Sequence, residues 1–288
     1  MLPPSISVVV PTRDRVASLS ATLDSLNCQQ DARPFELIVV DDGSTDGTGA
    51  FLAARAAQGA IVHVRGEGRG AAAARNAGIR RARGEIIACT DDDCEVPPDW
   101  VARLRDLLRQ TGAGAVGGRA VAAPDAARPA RISQAITNGI ARALNDRGRS
   151  RFLTSNNVAY RAATLRAVGL FDEGFPGAGG EDRDLHARLQ ARGERLVYAA
   201  DIVVTHHPRM SWAGFLRQQA AYGRGARRYY AQRDPRGPGR SRMGPGEYLR
   251  AFVAAAGEAR PHDRAALALG LPLSQAAVAW GYLRARRT

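Results

Sequence analysis

The 288-residue chain is 45% hydrophobic and 24% charged, which supports a sizeable core in one large or two modest domains and excludes a disordered or fibrous protein. Its formal charge of +13 is carried without lysine, so all 41 basic residues are arginine. From Val203 to Thr288 there are 15 arginines and four acidic residues, which leaves +11 on that segment and +2 on everything before it.

The opening apolar run, residues 6–10, has no basic segment before it and is stopped by Pro11, so it reads as a first strand and not as a secretory signal. Further β-branched runs at 36–40, 60–64 and 85–89 alternate with alanine-rich helical stretches at 17–26, 48–57 and 71–83. This alternation predicts an α/β domain with a mostly parallel, Rossmann-like sheet. Asp46 is placed to cap the second helix, and Gly84 to end the third. After Pro97 the pattern predicts a helix over 99–110, a glycine-rich strand over 115–121 and a polar stretch over 124–151. A strand over 152–160 follows, then the loop GFPGAGG at 174–180, a helix from Glu181 and one or two strands over 196–205. Beyond Pro208 the composition shifts to arginine, glycine, proline and aromatics, with a helix over 212–230 and a loop through Gly246. Residues 1–207 and 208–288 are therefore read as a main domain and a basic, mostly helical extension.

Three cysteines (Cys28, Cys89, Cys94) and five histidines form neither a disulfide ladder nor a zinc-ligand spacing, which fits a reducing cytoplasm. The chemistry lies instead in three acidic clusters: Asp41 and Asp42 in VVDDGS, Asp91 to Asp93 in CTDDDCE, and Glu181 with Asp182 in GGEDRDL. In an open parallel sheet, ligands bind where strands end and loops begin, so the clusters can converge on one crevice. Carboxylates at i and i+2 leaving a strand suit Mg²⁺ or Mn²⁺, whose shell substrate phosphates complete; the alternative is a solvated acidic turn. DDGS is also a good turn sequence in its own right. Gly66, Gly68 and Ala71 have the GxGxxA spacing of a dinucleotide fingerprint, but they follow the third strand, whereas that fingerprint belongs to the first βα turn. Arg69 and Arg75 beside a phosphate-bearing cleft, or as exposed helix arginines, account for the segment better.

The ordered set ISVVVPTRDR, VVDDGSTD, GRGAAAARNAGIRRARGEII, DDDCEVPPDW, TSNNVAYR and GGEDRDLHARL, spanning residues 5 to 207, resembles the family 2 glycosyltransferases of the GT-A fold. The resemblance implies an inverting transfer of a sugar from a nucleoside-diphosphate donor of UDP, GDP or dTDP type to a hydroxyl acceptor, with a divalent cation as cofactor. By position, Asp42 matches the acidic residue that contacts the nucleobase, with Pro11 and Arg13 lining that pocket. Asp91 and Asp93 match the DxD pair, the first toward the ribose and the second on the metal, and Asp92 shares either task. Asp182 matches the catalytic base, with Glu181 beside it. Asn156 and Asn157 fall where sugars are lined, and His206 matches a position near the metal or diphosphate; a packed histidine beside His207 is its alternative. At a helix N-terminus, Asp182 is expected to stay ionised at neutral pH; ordinary first-turn acidic residues are the alternative reading.

The extension contains the arginine-rich FLRQQAAYGRGARRYY and a run of 19 uncharged residues, 265–283, closed by arginines at 284, 286 and 287. Pro272, Ser274 and Gln275 temper its apolarity, which predicts a packed or interfacial helix in preference to a membrane span. Trp280, Tyr282 and the arginine flanks fit attachment to an anionic membrane surface or a lipid-linked acceptor. Two competing functions are a sugar nucleotidyltransferase and a nucleic-acid-binding protein. The first requires a glycine-rich phosphate loop after the first strand, where the sequence is PTRDR. The second conflicts with charge confined to the extension beside an acidic cleft, so no nucleic acid partner is expected.

Overall fold

The computed structural model describes residues 4–30, 34–145, 150–175, 177, 179–232 and 243–285. In chain order, β1 (Ile6–Thr12), α1 (Val16–Asn27), β2 (Glu36–Asp41), α2 (Thr48–Ala57), β3 (Val62–Arg65), α3 (Ala71–Arg81) and β4 (Ile86–Cys89) build the alternating half. The second half comprises β5 (Cys94–Glu95), α4 (Trp100–Thr111), β6 (Ala115–Ala122), α5 (Arg128–Leu144), β7 (Val158–Arg161), α6 (Ala162–Ala167), α7 (Glu181–Ala191) and β8 (Leu196–His206). Three helices follow: α8 (Trp212–Ala231), α9 (Pro245–Glu258) and α10 (Arg264–Arg284).

The strands form one eight-stranded sheet in the order β3-β2-β1-β4-β7-β6-β8-β5. β1 pairs in parallel with β2 and β4, β2 with β3 and β6 with β8, while β7 and β5 are antiparallel insertions. Successive side chains of a strand point to opposite faces, and β1 is buried on both. Val8 and Val10 join Leu19, Leu23, Trp100 and Leu104 on one side, and Val9 joins Ile38, Ile79, Leu185 and Leu189 on the other. The carboxyl ends of β1, β2 and β4 therefore emerge together along one edge.

The structure departs from the sequence reading at several points. The stretch 124–151 contains the 17-residue α5. The sequence reading placed no element there, because Ser133, Gln134 and Asn138 are polar yet buried and hydrogen-bonded, while Ile132 and Ile136 supply the helical apolar row. The predicted strand over 152–160 is regular only from Val158, because Asn157 spends its amide on other elements, donating to the carbonyls of Arg119 and Ile202 and accepting from Trp100 Nε1. Gly84 does not cap α3, which ends at Arg81; a Cβ on Gly84 would stand 2.6 Å from the Ser7 backbone nitrogen, so close strand approach requires this glycine. Asp46 accepts from the Thr48 amide at 2.8 Å, but it stands one residue before the N-cap of α2, which is Gly47. The loop predicted through Gly246 gives way to α9 from Pro245; residues 233–242, and Pro176 and Ala178 of the GFPGAGG loop, lie outside the described residues.

α8 and α10 run parallel in a constant register. Ser274 Oγ donates to Gln219 Oε1 at 2.8 Å, Gly223 lies against the Val278 carbonyl, and Arg227 donates to the Tyr282 carbonyl at 3.2 Å. A Cβ on Gly223 or on Gly281 would stand 2.0 Å from the facing carbonyl oxygen, so the seam closes only with glycine at both positions.

Candidate active site

A cavity of about 680 Å³ opens at the carboxyl edge of the sheet. Pro11 and Arg13 enter it from the end of β1, Asp42 from β2, Asp91, Asp92 and Asp93 from the β4–β5 turn, Asn156 from the segment before β7, Glu181 and Asp182 from the start of α7, and His206 from the end of β8. Thus ten of the residues singled out in sequence share one wall. Arg69 stands outside it, half exposed and paired with Glu67 at 2.8 Å and Glu173 at 2.7 Å. Asn157 is fully buried behind it with its amide engaged as above.

Asp42 accepts from three successive backbone amides, Gly68 at 3.0 Å, Arg69 at 3.2 Å and Gly70 at 2.7 Å. Gly68 and Gly70 have φ of +71° and +96°, and a Cβ on Gly66 would lie 2.8 Å from Asp42 Oδ1. The glycines of RGEGRG therefore turn their amides onto a protein carboxylate, which explains the fingerprint-like spacing without a dinucleotide.

The acidic turn is neutralised from two sides. Thr12 donates to Asp92 at 2.7 Å, and Arg15 contacts Asp92 at 3.2 Å and Asp93 at 2.7 Å. Arg75, 4% exposed, donates to Asp91 at 2.6 Å and lies 3.6 Å from Glu181, its guanidinium over the Phe171 ring. Burial pushes Asp92 up to about 6 against the opposing pull of Arg15 and Thr12. Burial acts on Asp93 in the same sense, but His206 and Arg15 outweigh it and its pKa is lowered. His206 is raised in turn, desolvation being overcome by the Asp93 carboxylate 3.2 Å from Nε2, while its Nδ1 meets Gln134 Oε1 at 2.9 Å. Pairing of Cys94 in β5 with His206 in β8 brings that imidazole to the acidic turn. A two-residue strand has no periodicity to read.

The ligand atoms of Asp93, Cys94 and His206 all lie within 4.8 Å of one another. The carboxylate fits Mg²⁺ or Mn²⁺, and the imidazole beside it favours Mn²⁺, the softer of the two. Burial holds the Cys94 thiol well above its ordinary pKa, so it remains protonated and a poor partner for a hard cation.

Asp182 is half-buried and lines the cavity. Burial, then the adjacent Glu181 carboxylate, push it up to about 7, against the Arg183 amide at 2.7 Å and the Arg75 charge. Burial and the neighbouring Glu181 carboxylate thus raise Asp182 in spite of its place at a helix N-terminus, where the sequence reading expected the ionised form. α8 closes the far wall with Gln218, Tyr222 and Tyr229, the last carrying Arg183 5.1 Å from its ring centroid. Thr12, Arg15, Gln134 and these α8 residues carried no sequence signal beyond helical or loop placement.

The mixed sheet, with carboxylates gathered at its carboxyl edge, is the architecture of a GT-A glycosyltransferase. The structure aligns with a mannosyltransferase from Pyrobaculum calidifontis solved with GDP-Man and Mn²⁺ (TM-score 0.65, 21% identity, 99% of this chain and 87% of that one). It also aligns with S. aureus TarS 1-349 solved with UDP-GlcNAc (TM-score 0.58, 16% identity, 96% and 89%). Residues 7–169 match the model of glycosyl transferase family 2, and the chain belongs to that family. It is a transferase enzyme. Among curated relatives, glycosyltransferase AglE of Haloferax volcanii is 27% identical over 77% of this chain and 73% of its own length. Hyaluronan synthase of Pasteurella multocida is 30% identical over 64% of this chain but 22% of its own length. The chain spans only 13% of the y4gI protein of Sinorhizobium fredii and 46% of the pre-mycofactocin glycosyltransferase of Mycobacterium tuberculosis.

Proposed function

We propose that the chain is a metal-dependent, inverting glycosyltransferase that moves a sugar from a UDP, GDP or dTDP sugar to a hydroxyl of a cell-envelope polysaccharide, lipid-linked saccharide or small glycoconjugate. The observation that carries this reading is that Asp182 and Asp93, remote in sequence and on different elements, face the same cavity. The ligands of the solved neighbours, GDP-Man with Mn²⁺ in one and UDP-GlcNAc in the other, support the donor class.

Transfer breaks the bond between the sugar anomeric carbon and the diphosphate oxygen while an acceptor oxygen attacks the opposite face. Asp93 and His206, with Asp91 and Asp92 alongside, would hold the divalent cation, which supplies positive charge against the departing diphosphate. Arg15, in contact with Asp92 and Asp93, adds fixed positive charge there, while Arg13 stays with Pro11 on the Asp42 side. Pro11, held beside Asp42 and its amide clamp, bounds the nucleobase side, and Asn156 is available to sugar hydroxyls. Ionised Asp182 accepts the acceptor hydroxyl proton as the new glycosidic bond forms. One base opposite the leaving group gives inversion. In this reading residues 1–207 carry the donor machinery, 208–288 form the basic extension, and the protein works in the cytoplasm, peripheral to the anionic inner face of the membrane.

A thermal-shift panel of UDP, GDP and dTDP sugars with and without Mn²⁺ tests this. One nucleotide sugar is expected to raise Tm, and more so with Mn²⁺. Equal melting with every donor overturns the reading.

A further inference from the structure

We infer that the outward face of α10 is a docking surface for an anionic lipid bilayer, set one helix layer from the active-site cavity; this deepens the membrane reading proposed above. Among the described residues, Pro261–Arg284 is the one helical stretch long and apolar enough to cross a membrane by length and composition. Its packing shows how it is used. The row Ser274, Val278 and Tyr282 faces α8. At about 100° per residue, Leu269, Leu273, Trp280 and Leu283 fall within about 80° of arc on the opposite side. They are 70%, 51%, 54% and 76% exposed.

The exposed positions between Arg264 and Arg284 are Ala265, Ala268, Leu269, Pro272, Leu273, Ala276, Ala279, Trp280 and Leu283. None is polar. Ser274, by contrast, is turned inward and hydrogen-bonded. This reverses a surface helix in water, which shows its polar face to solvent. From Leu269 to Leu283 the stripe runs about 21 Å, ample for a helix lying in the headgroup region.

Charge selects the lipid. Arg284 stands exposed at the C-terminal end of the stripe, 5.5 Å from the Trp280 ring centroid, and the segment from Val203 onward carries +11. Arginines beside an interfacial tryptophan suit anionic headgroups. A membrane span is disfavoured because α8, fixed along α10, would enter the bilayer with Arg217, Arg224, Arg227 and Arg228. The same α8 presents Gln218, Tyr222 and Tyr229 to the cavity. A bilayer under α10 therefore lies about 10 Å, one helix layer, from the cavity wall, which places a lipid-linked acceptor within reach.

The test is co-sedimentation of the full chain with phosphatidylcholine vesicles, with and without phosphatidylglycerol. Wild type is expected to pellet with the anionic vesicles. The Leu269→Ser/Leu273→Ser/Leu283→Ser variant is expected to lose about tenfold or more in partitioning while keeping its Tm. Brominated lipid is expected to quench tryptophan emission of wild type and to lose most of that effect in Trp280→Phe. Equal pelleting of variant and wild type overturns the inference. So does failure of wild type to bind, or light scattering that shows a dimer abolished by the triple serine change. Nucleotide-sugar thermal shifts on the same samples report donor binding separately: their absence refutes the transferase substrate reading whatever the vesicles show, and their persistence with lost pelleting isolates the docking face.

Discussion

Arg75 joins Asp91 and Glu181: its guanidinium donates to the former at 2.6 Å and lies 3.6 Å from the latter, linking the acidic turn after β4 to the first turn of α7. A cation with 4% exposure between two carboxylates is held charged, its pKa raised by Asp91 and Glu181 against the desolvation of a buried site. Removing it takes the guanidinium from Asp91 and leaves Glu181 with the Gly179 amide at 2.7 Å. Arg75→Met is expected to cost about 3 kcal/mol in urea unfolding, as loss of one partner of a buried ion pair does. An unchanged midpoint and slope would contradict this linking role.

Asp182→Asn is expected to lower kcat by about 10³-fold or more while leaving the donor-induced thermal shift nearly intact, since the amide fills the same space but accepts no proton. Near-wild-type turnover of the purified variant removes Asp182 from the role of base.

Because Asp182 is pushed up to about 7, kcat is expected to rise with pH through that region as the carboxylate ionises. The stability consequence has the opposite sense. A carboxyl raised in the folded state binds a proton more tightly there than when unfolded, so folding loses stability as pH climbs from about 4 to about 7, and the loss levels off above that. Asp182→Asn should therefore raise Tm at pH 8 relative to wild type and do little at pH 4. Equal effects at both pH values would count against the buried-acid assignment.

Asp42→Ala removes the acceptor of three amides. Hydrogen exchange over residues 66–70 is expected to accelerate, and donor affinity to fall by about tenfold or more as that edge of the cavity loosens. Exchange rates like those of wild type would show that the loop holds itself.

Gly139 tests the α5–α9 contact, since an added Cβ would stand 2.2 Å from the Ala251 carbonyl. Gly139→Ala is expected to destabilise by about 1–3 kcal/mol in spite of better helix propensity. A gain in stability would mean that the two helices separate freely.

The alternating half was legible because buried parallel strands are nearly continuous apolar runs: 6–10 and 36–40 both lie within β1 and β2. The acidic clusters were legible for a different reason. Like charges retained side by side at strand ends call for cations, and Arg15, Arg75 and His206 supply them. What could not be read was contact made by polar residues buried inside helices. Gln134 in α5 supports His206, yet it belongs to a stretch whose polarity hid the helix. Desolvation of Asp182 likewise depends on α8, which approaches from beyond the boundary drawn by composition. Asn157 looked equivalent to Asn156, and its bonds to Trp100, Arg119 and Ile202 separate a structural amide from one facing the cavity.

The glycine seam between α8 and α10 sets a limit on how this enzyme can diversify. Gly223 and Gly281 each sit under a carbonyl of the neighbouring helix, so a single-residue insertion upstream of either within its own helix would swing a side chain into a gap that admits only hydrogen. The outermost helix and the wall of the reaction chamber are consequently one mechanical part, and sequence drift can alter their surfaces but not their stagger.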